Sequence, residues 1–210
     1  RISERFPESG LAEVGERVLT LAEEASDRSR AIGRPIKVLR IATVLLVASI
    51  VMAIVAMGIT FQMPKSVPTL LEFVQLFESG INDIVFIGAG IFFLVSFERR
   101  LKRNRALAYL NDLRAIAHII DMHQLTKDPV RLSQDWTPSA SSPKLKLTPF
   151  LMTRYLDYCS EMLAIVGKIS ALYIQYFDDE VVTSAVNEIE QLTTGLSRKI
   201  WQKIMIMRSV

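Results

Sequence analysis

The chain has 210 residues, of which 50% are hydrophobic and 22% charged, and its formal net charge is +3. An ordinary charged fraction beside so many apolar residues indicates that very apolar segments are joined to ordinary polar ones. The single cysteine, Cys159, excludes an internal disulfide framework and a multi-cysteine metal site.

Residues 1–38 form the first predicted region, an amphipathic helix followed by a basic flank. Its apolar residues recur in a heptad-like seam, with glutamates off the seam. So narrow a seam favours packing against another helix, which could belong to this chain or to another subunit. Burial of the seam in lipid is the third option. The seam consists of Leu11, Val14, Val18, Leu21 and Ala25.

Residues 39–63 are predicted to be a first transmembrane helix. No charged residue occurs between positions 41 and 61. About 20 helical residues cross a hydrocarbon core of roughly 30 Å, so the segment is long enough. Its apolar residues point in all directions, whereas a helix at the edge of a soluble core would show a polar stripe.

Residues 81–97 are predicted to be a second, shorter span, with Asp83 near its start. Gly88 and Gly90 are small enough to let a neighbouring helix approach closely, which is how helices associate in lipid. We expect them to pack against the first span in a hairpin.

Basic residues flank both spans, while the segment between them carries only Lys65. The positive-inside rule therefore predicts a multi-pass protein with both termini in the cytoplasm, most simply in a bacterial inner membrane. The same cations can contact anionic lipid headgroups, and we do not expect them to bind nucleic acid. The residues assigned to topology or headgroup contact are Arg34, Lys37, Arg40, Arg99, Arg100, Lys102 and Arg103.

Residues 64–80 are predicted to be an external loop containing a short amphipathic helix. Gly80 would stop this helix, or the helix would extend the second span outward. Two spans around a short helix also suggest an alternative, an oligomeric pore in which rings of Glu72, Glu78 or Asp83 attract cations. The TVGYG sequence of a carbonyl-lined filter is absent.

Residues 98–210 are predicted to be a cytoplasmic helical domain that begins as an unbroken continuation of the second span. Both histidines of the chain lie here. His118 and Asp121 are within about 60° of each other on a helix, so a hydrogen bond between them and a pH-sensing role are possible assignments. His118 and His123 are about 140° apart, which excludes binding of one ion by both from one regular helix. We expect His123 to be positively charged and to interact favourably with the negative end of the helix dipole at the helix C-terminus.

Residues 127–147 read as a linker, because they combine prolines with a serine cluster. Thr148 and Pro149 then resemble the start of a helix that runs to about Phe177. Asp178 and Asp179 form a turn and cap the last helix, whose apolar seam faces the preceding one. With residues 106–125, this antiparallel pair is predicted to form a three-helix bundle.

The fold class predicted from these patterns is all-α, a two-transmembrane-helix hairpin with a cytoplasmic helical bundle and an N-terminal amphipathic helix. Phosphate-binding glycine loops, nucleophile elbows and HExxH motifs are absent, so we expect no catalytic residues, no metal and no cofactor. The predicted role is self-association or docking of a cytoplasmic protein partner, as a scaffold or regulator. Its expected partners are the lipid bilayer and further copies of this chain in a homo-oligomer.

Overall fold

The computed structural model describes residues 1–60, 70–132, 137 and 147–209. Every secondary-structure element within these ranges is helical, in agreement with the predicted all-α class. Six α-helices and two short 3-10 helices are present in them. The α-helices are α1 (Ile2–Arg5), α2 (Gly10–Gly33), α3 (Lys37–Thr60), α4 (Leu70–Leu125), α5 (Pro149–Ala171) and α6 (Glu180–Ser209), and the 3-10 helices are Pro129–Leu132 and Leu172–Ile174.

The chain divides into two compact units. The first combines Arg1–Gly33 with Arg103–Val210, and the second is Arg34–Lys102. We call them the bundle unit and the hairpin unit. The boundary falls inside α4, so this helix contributes residues to both units.

The bundle unit contains four helices that alternate in direction. Arg103 contacts Asp179 and Arg114 contacts Glu188, so α4 and α6 run in the same direction. Gly167 of α5 faces Thr193 of α6. In α2, Gly10 lies against His123, near the end of α4, while Arg28 lies over the ring of Tyr109. These contacts make α2 antiparallel to α4.

The seam of α2 is buried inside this unit, because α2 packs on α5 and on the Leu172–Ile174 turn. Leu11 and Ala25 are completely inaccessible to solvent. The N-terminal helix therefore adds a fourth helix to the three predicted, and of the options left open for its seam, packing within this chain is the one observed. The physical reason is that a bundle of four amphipathic helices covers an apolar stripe that three would leave in water.

Side chains just before α5 and α6 cap the first turns of these helices, because the first backbone N–H groups of a helix have no partner within it. Thr148 Oγ1 accepts a hydrogen bond from Leu151 N at 3.3 Å, with Pro149 as the first helical residue, which confirms the predicted start of α5. Asp179 Oδ1 accepts from Val181 N and Val182 N at the start of α6. The apolar seam predicted for α6, from Val182 to Ile204, is buried.

The end of α5 differs from the prediction of a regular helix to about Phe177. The α-helix ends at Ala171 and tightens into the 3-10 turn of Leu172–Ile174. A last turn with i to i+3 hydrogen bonds is a common way to pair carbonyls that lack a partner at a helix C-terminus.

In the hairpin unit, α3 and the first part of α4 run antiparallel. Ile36, just before α3, donates its backbone N–H to Glu98 Oε1 at 3.1 Å. Leu46, ten residues after Ile36, faces Gly90, which is eight residues before Glu98 on α4. Nearly equal steps in opposite directions define a regular hairpin.

Helix α4 extends beyond the second predicted span in both directions. Helix α4 begins at Leu70 and passes through Gly80 without a break, so the described part of the predicted loop extends the helix outward and Gly80 does not stop it. A helical glycine costs only about 1 kcal/mol relative to alanine, which a long helix tolerates. Residues 61–69 of the predicted loop and most of the predicted linker, 133–136 and 138–146, lie outside the described residues.

Two helices of the chain are long and apolar enough to cross a membrane by length and composition. Their most apolar windows have mean hydropathies of 2.6 and 1.9, and none of either window is buried. Side chains as apolar as Phe86 are 76% exposed. This exposure distinguishes the two apolar segments from the buried helix faces of the bundle unit.

Candidate functional site

The acidic residues predicted to attract cations lie on α4 in the hairpin unit. Glu78 and Asp83 are both exposed; the side chain of Glu72 is outside the described part of the structure. At 100° per residue, Asp83 is about 140° around the helix from Glu78, so the two carboxylates occupy different faces. Glu78 borders a recess of about 350 Å³ together with Asn82 and apolar neighbours. One face of α4 can therefore present only one of these two acids to a pore axis.

The two glycines proposed for helix packing have different surroundings. A Cβ atom added to Gly90 would lie 3.9 Å from Leu46 Cδ2, an ordinary van der Waals contact within the hairpin. A Cβ atom added to Gly88 would meet nothing within 4 Å. Gly90 thus faces α3, while the backbone at Gly88 is open to a neighbour.

The basic residues of the hairpin unit collect at one end of it, because the contact between Ile36 and Glu98 brings the start of α3 beside this part of α4. Most of them are exposed, but Lys102 is not available for headgroup contact. Its Nζ lies 2.9 Å from Glu98 Oε1, and its side chain is only 13% exposed. The exposed cations at this end are Arg34, Lys37, Arg40, Arg99 and Arg100.

Glu98 is the residue that organises this end. It accepts hydrogen bonds from Lys102 and from the backbone of Ile36, and Arg40 adds a further positive charge nearby. The Lys102 bond, followed by the Ile36 N–H and these charges, outweighs desolvation and lowers the pKa of Glu98. An ionised Glu98 therefore joins the start of α3 to α4.

Arg103 belongs to the bundle unit, where its guanidinium forms a bidentate pair with Asp179 at 2.8 to 3.0 Å. Asp179 is fully buried. The prediction that assigned Arg103 to topology or headgroup contact did not foresee this structural role, because its partner lies 76 residues away in the sequence.

His118 and Asp121 do not form the pair suggested by their spacing. His118 is exposed, and Asp121 Oδ1 instead accepts a hydrogen bond from Gln124 Nε2 at 2.6 Å. Gln124 is nearly fully buried, so this bond holds its amide inside the bundle unit. The assignment of pH sensing to His118 and Asp121 stays a prediction.

His123 occupies a different environment from the one expected of a charged residue at a helix end. Its ring lies against Gly10, and Nδ1 is 3.4 Å from the hydroxyl of Tyr155. Burial, followed by the charge of Lys127, lowers the pKa of His123, so the imidazole is neutral near pH 7. The lowered pKa disfavours the expected charge interaction of His123 with the helix C-terminus; Lys203 Nζ donates to the Gln124 carbonyl there, at 3.0 Å.

The same end of the bundle unit contains the only cysteine and two half-buried lysines. Burial raises the pKa of Cys159 to about 12 and lowers the pKa of Lys127 and of Lys203. A thiol in this environment stays protonated and is a poor nucleophile. Among the described residues, no three histidine, cysteine or acidic side chains are placed to hold a metal ion.

A groove of about 750 Å³ runs between α5 and α6 on the surface of the bundle unit. Small side chains line it, including Ala164 and Gly167 of α5 and Thr194 of α6, and Trp201 stands at its border with 55% of its surface exposed. This groove was not predicted from the sequence. The small residues on both helices were its signal, but only the antiparallel packing brings them together.

Comparison of the chain with protein-family models, with curated proteins and with solved structures finds no match.

Proposed function

We propose that this chain is an integral membrane protein whose helical bundle lies in the cytoplasm and serves self-association or docking of a protein partner. Such a protein would act as a scaffold or a regulator. The hairpin unit would provide the anchor, and the bundle unit the recognition surface.

The observation that carries the membrane assignment is the exposure of the hairpin unit. None of its described residues is buried, although its helices consist largely of valine, isoleucine, leucine and phenylalanine. Soluble monomers rarely expose apolar patches of more than a few hundred Å². Lipid would cover these side chains, and the backbone N–H and C=O groups are paired within the helices, as a bilayer requires.

The orientation follows from the exposed cations at one end of the hairpin unit, which include Arg34, Arg40 and Arg99. The positive-inside rule places this end in the cytoplasm. Both connections from the hairpin to the bundle unit leave from this end, at positions 33–34 and 102–103. The bundle would then be cytoplasmic as well.

Two surfaces support self-association or docking. The backbone at Gly88 is open on the outside of the hairpin, where a helix of another copy can approach closely. The groove between α5 and α6 offers a concave surface on the bundle unit. The seam of α2 no longer supports association, because it is buried within the same chain.

Carbonate extraction and cysteine labelling test the anchor and its orientation. We expect the protein to stay in the membrane pellet at alkaline pH. In intact cells, an impermeant maleimide should label Lys65→Cys but not Ser184→Cys, which lies on the exposed surface of α6. Release by carbonate would reject the anchor, and labelling at position 184 alone would invert the orientation.

The mass of the full chain in mild detergent, measured by light scattering, tests association. A stable oligomer, or a complex with a cytoplasmic protein recovered from membranes, is expected. A monomer of 23.7 kDa that gives neither cross-linked products nor a bound partner in membranes would reject the proposed role.

A second candidate is an oligomeric pore gated through the helix that follows the second span. The unbroken course of α4 from Leu70 to Leu125 favours it, because the gating helix would then be a direct continuation of the second span. The pore predicts conductance in planar bilayers that changes on Asp83→Asn or Glu78→Gln. Since the two acids lie on different faces, only one substitution should have a large effect. Bilayers without conductance would reject the pore.

A further inference from the structure

The surface of α6 carries charges in an order that a second copy of the same helix can complement. Glu190 and Arg198 lie four residues before and four residues after Thr194, and all three side chains are exposed. At 100° per residue, residues four apart lie only about 40° from each other around the helix axis, so the three residues share one face. Within the described residues, neither Glu190 nor Arg198 forms an ion pair.

Antiparallel packing of two such helices about a two-fold axis makes this order self-complementary. With the axis at Thr194, each Glu190 faces Arg198 of the second copy, and the two Thr194 side chains meet. A two-fold contact uses the same patch on both copies, so one favourable pair is formed twice. The opposite, parallel arrangement would place like charges together.

The groove next to this face has room for a helix. On its α5 side, Ser160 and Ala164 are small, and Lys168 is the long exposed side chain beside them. A Cβ atom added to Gly167 would lie 3.0 Å from Thr193 Oγ1, so Gly167 lets α5 pack closely on α6 beside the groove. Small residues allow helix axes to approach within about 8 Å.

Trp201 lies seven residues after Thr194 and therefore on the same face, where 55% of its surface is exposed. Tryptophan is enriched among the residues that dominate the energy of protein interfaces. The two-fold axis brings Trp201 opposite Asn187 of the second copy, so an exposed ring would be covered on association.

We propose that α6 of a second copy of this chain occupies the groove between α5 and α6, in a two-fold antiparallel contact centred on Thr194. This inference rests on the proposed self-association and specifies its surface.

Disulfide cross-linking of Thr194→Cys in membranes tests the axis. The native Cys159 is buried with a raised pKa, so it does not compete for oxidation. A pair of cysteines on the axis can reach the roughly 4.4–6.8 Å between Cα atoms that a disulfide needs. The matched control is Gln202→Cys, at the exposed border of the same groove, since its two copies would lie about 24 Å apart along the helices.

Mild oxidation should convert Thr194→Cys, and not Gln202→Cys, to a species of two chains. Absence of this species, equal cross-linking of both variants, or a product of any mass other than two chains would overturn the proposed contact.

A charge exchange tests the register. Glu190→Arg and Arg198→Glu alone should each weaken the dimer, by roughly tenfold or more in Kd, because each places like charges opposite each other. The double variant restores opposite charges and should return the Kd to within about threefold of the native value. Both positions are exposed, and circular dichroism checks that each variant is folded.

The outcomes separate the two proposals. A native dimer whose affinity is not restored in the double variant, and whose Thr194→Cys form does not cross-link, keeps self-association and rejects the groove contact. A native chain that is monomeric in detergent and gives no cross-linked product in membranes rejects both.

Discussion

Arg103 and Asp179 form a forked ion pair between α4 and the start of α6, with three N···O distances between 2.8 and 3.0 Å. Asp179 also accepts two backbone N–H groups of the first turn of α6. One buried carboxylate thus joins two helices and caps one of them. Because this carboxylate is fully buried, the positive charge of Arg103 offsets the cost of removing it from water.

Removal of this arginine should destabilise the bundle unit. We expect Arg103→Ala to lower the unfolding temperature, because it leaves the buried Asp179 carboxylate without its guanidinium partner. Thermal unfolding of the full chain in detergent, followed by circular dichroism, measures the effect. Asp179→Asn should lower the stability less than Arg103→Ala does, since asparagine still caps α6. Equal unfolding temperatures for Arg103→Ala and the native chain would contradict the structural role of the pair.

Acidification should destabilise the bundle unit through His123. Its pKa is lowered from 6.5 in the folded chain, so the unfolded chain binds more protons as the pH falls below this value. Stability should therefore be complete above about pH 6.5 and decrease towards the folded pKa. His123→Gln should remove this part of the pH dependence, and His118→Gln should keep it, because His118 is exposed. Unfolding curves at about pH 5 and 7.5 compare the variants; identical pH dependence in both would be inconsistent with a neutral His123.

Loss of the Glu98 carboxylate should loosen the start of α3. In Glu98→Ala the Ile36 N–H loses a bond to a charged acceptor, which contributes about 1.5–3 kcal/mol. Hydrogen exchange of the Ile36 amide should accelerate by roughly tenfold or more. Lys102→Ala is the matched control, because it removes the other partner of Glu98 and leaves the Ile36 bond in place. An unchanged exchange rate in Glu98→Ala would show that the bond does not protect this amide.

Alanine should have opposite effects at two helical glycines. A Cβ atom at Gly33 would lie 2.7 Å from Tyr176 Cβ and 3.0 Å from the Tyr176 carbonyl oxygen, so the backbone must move. We expect Gly33→Ala to cost about 1–3 kcal/mol. At Gly195 nothing lies within 4 Å, so Gly195→Ala should stabilise α6 by up to about 1 kcal/mol through helix propensity. Thermal unfolding of both variants decides the signs; stabilisation by Gly33→Ala would refute the close contact with Tyr176.

The native cysteine should resist alkylation. With a pKa raised to about 12 and no solvent exposure, Cys159 has almost no thiolate at pH 8. Labelling by iodoacetamide should be slow in the folded chain and rapid after denaturation. The exposed cysteine of Ser184→Cys serves as the internal standard, and equal rates at the two positions would contradict the burial of Cys159.

The surroundings of individual polar residues could not be read from the sequence. Arg103 was grouped with its basic neighbours because adjacent positions give no information about a partner at position 179. His123 was expected to be charged, because nothing near it in the sequence indicates that its ring is surrounded by Gly10 and Tyr155. Burial and charge at such residues depend on which helices pack together, and local patterns do not contain that information.

The amino-acid sequence by itself determined the all-α class, the two long apolar helices and the caps at Thr148 and Asp179, because helical periodicity, hydropathy and capping act over only a few residues. Only the tertiary structure decided that α2 completes a four-helix unit and that a groove lies between α5 and α6. These features depend on contacts between segments far apart in the chain, and several arrangements of amphipathic helices satisfy the same local pattern.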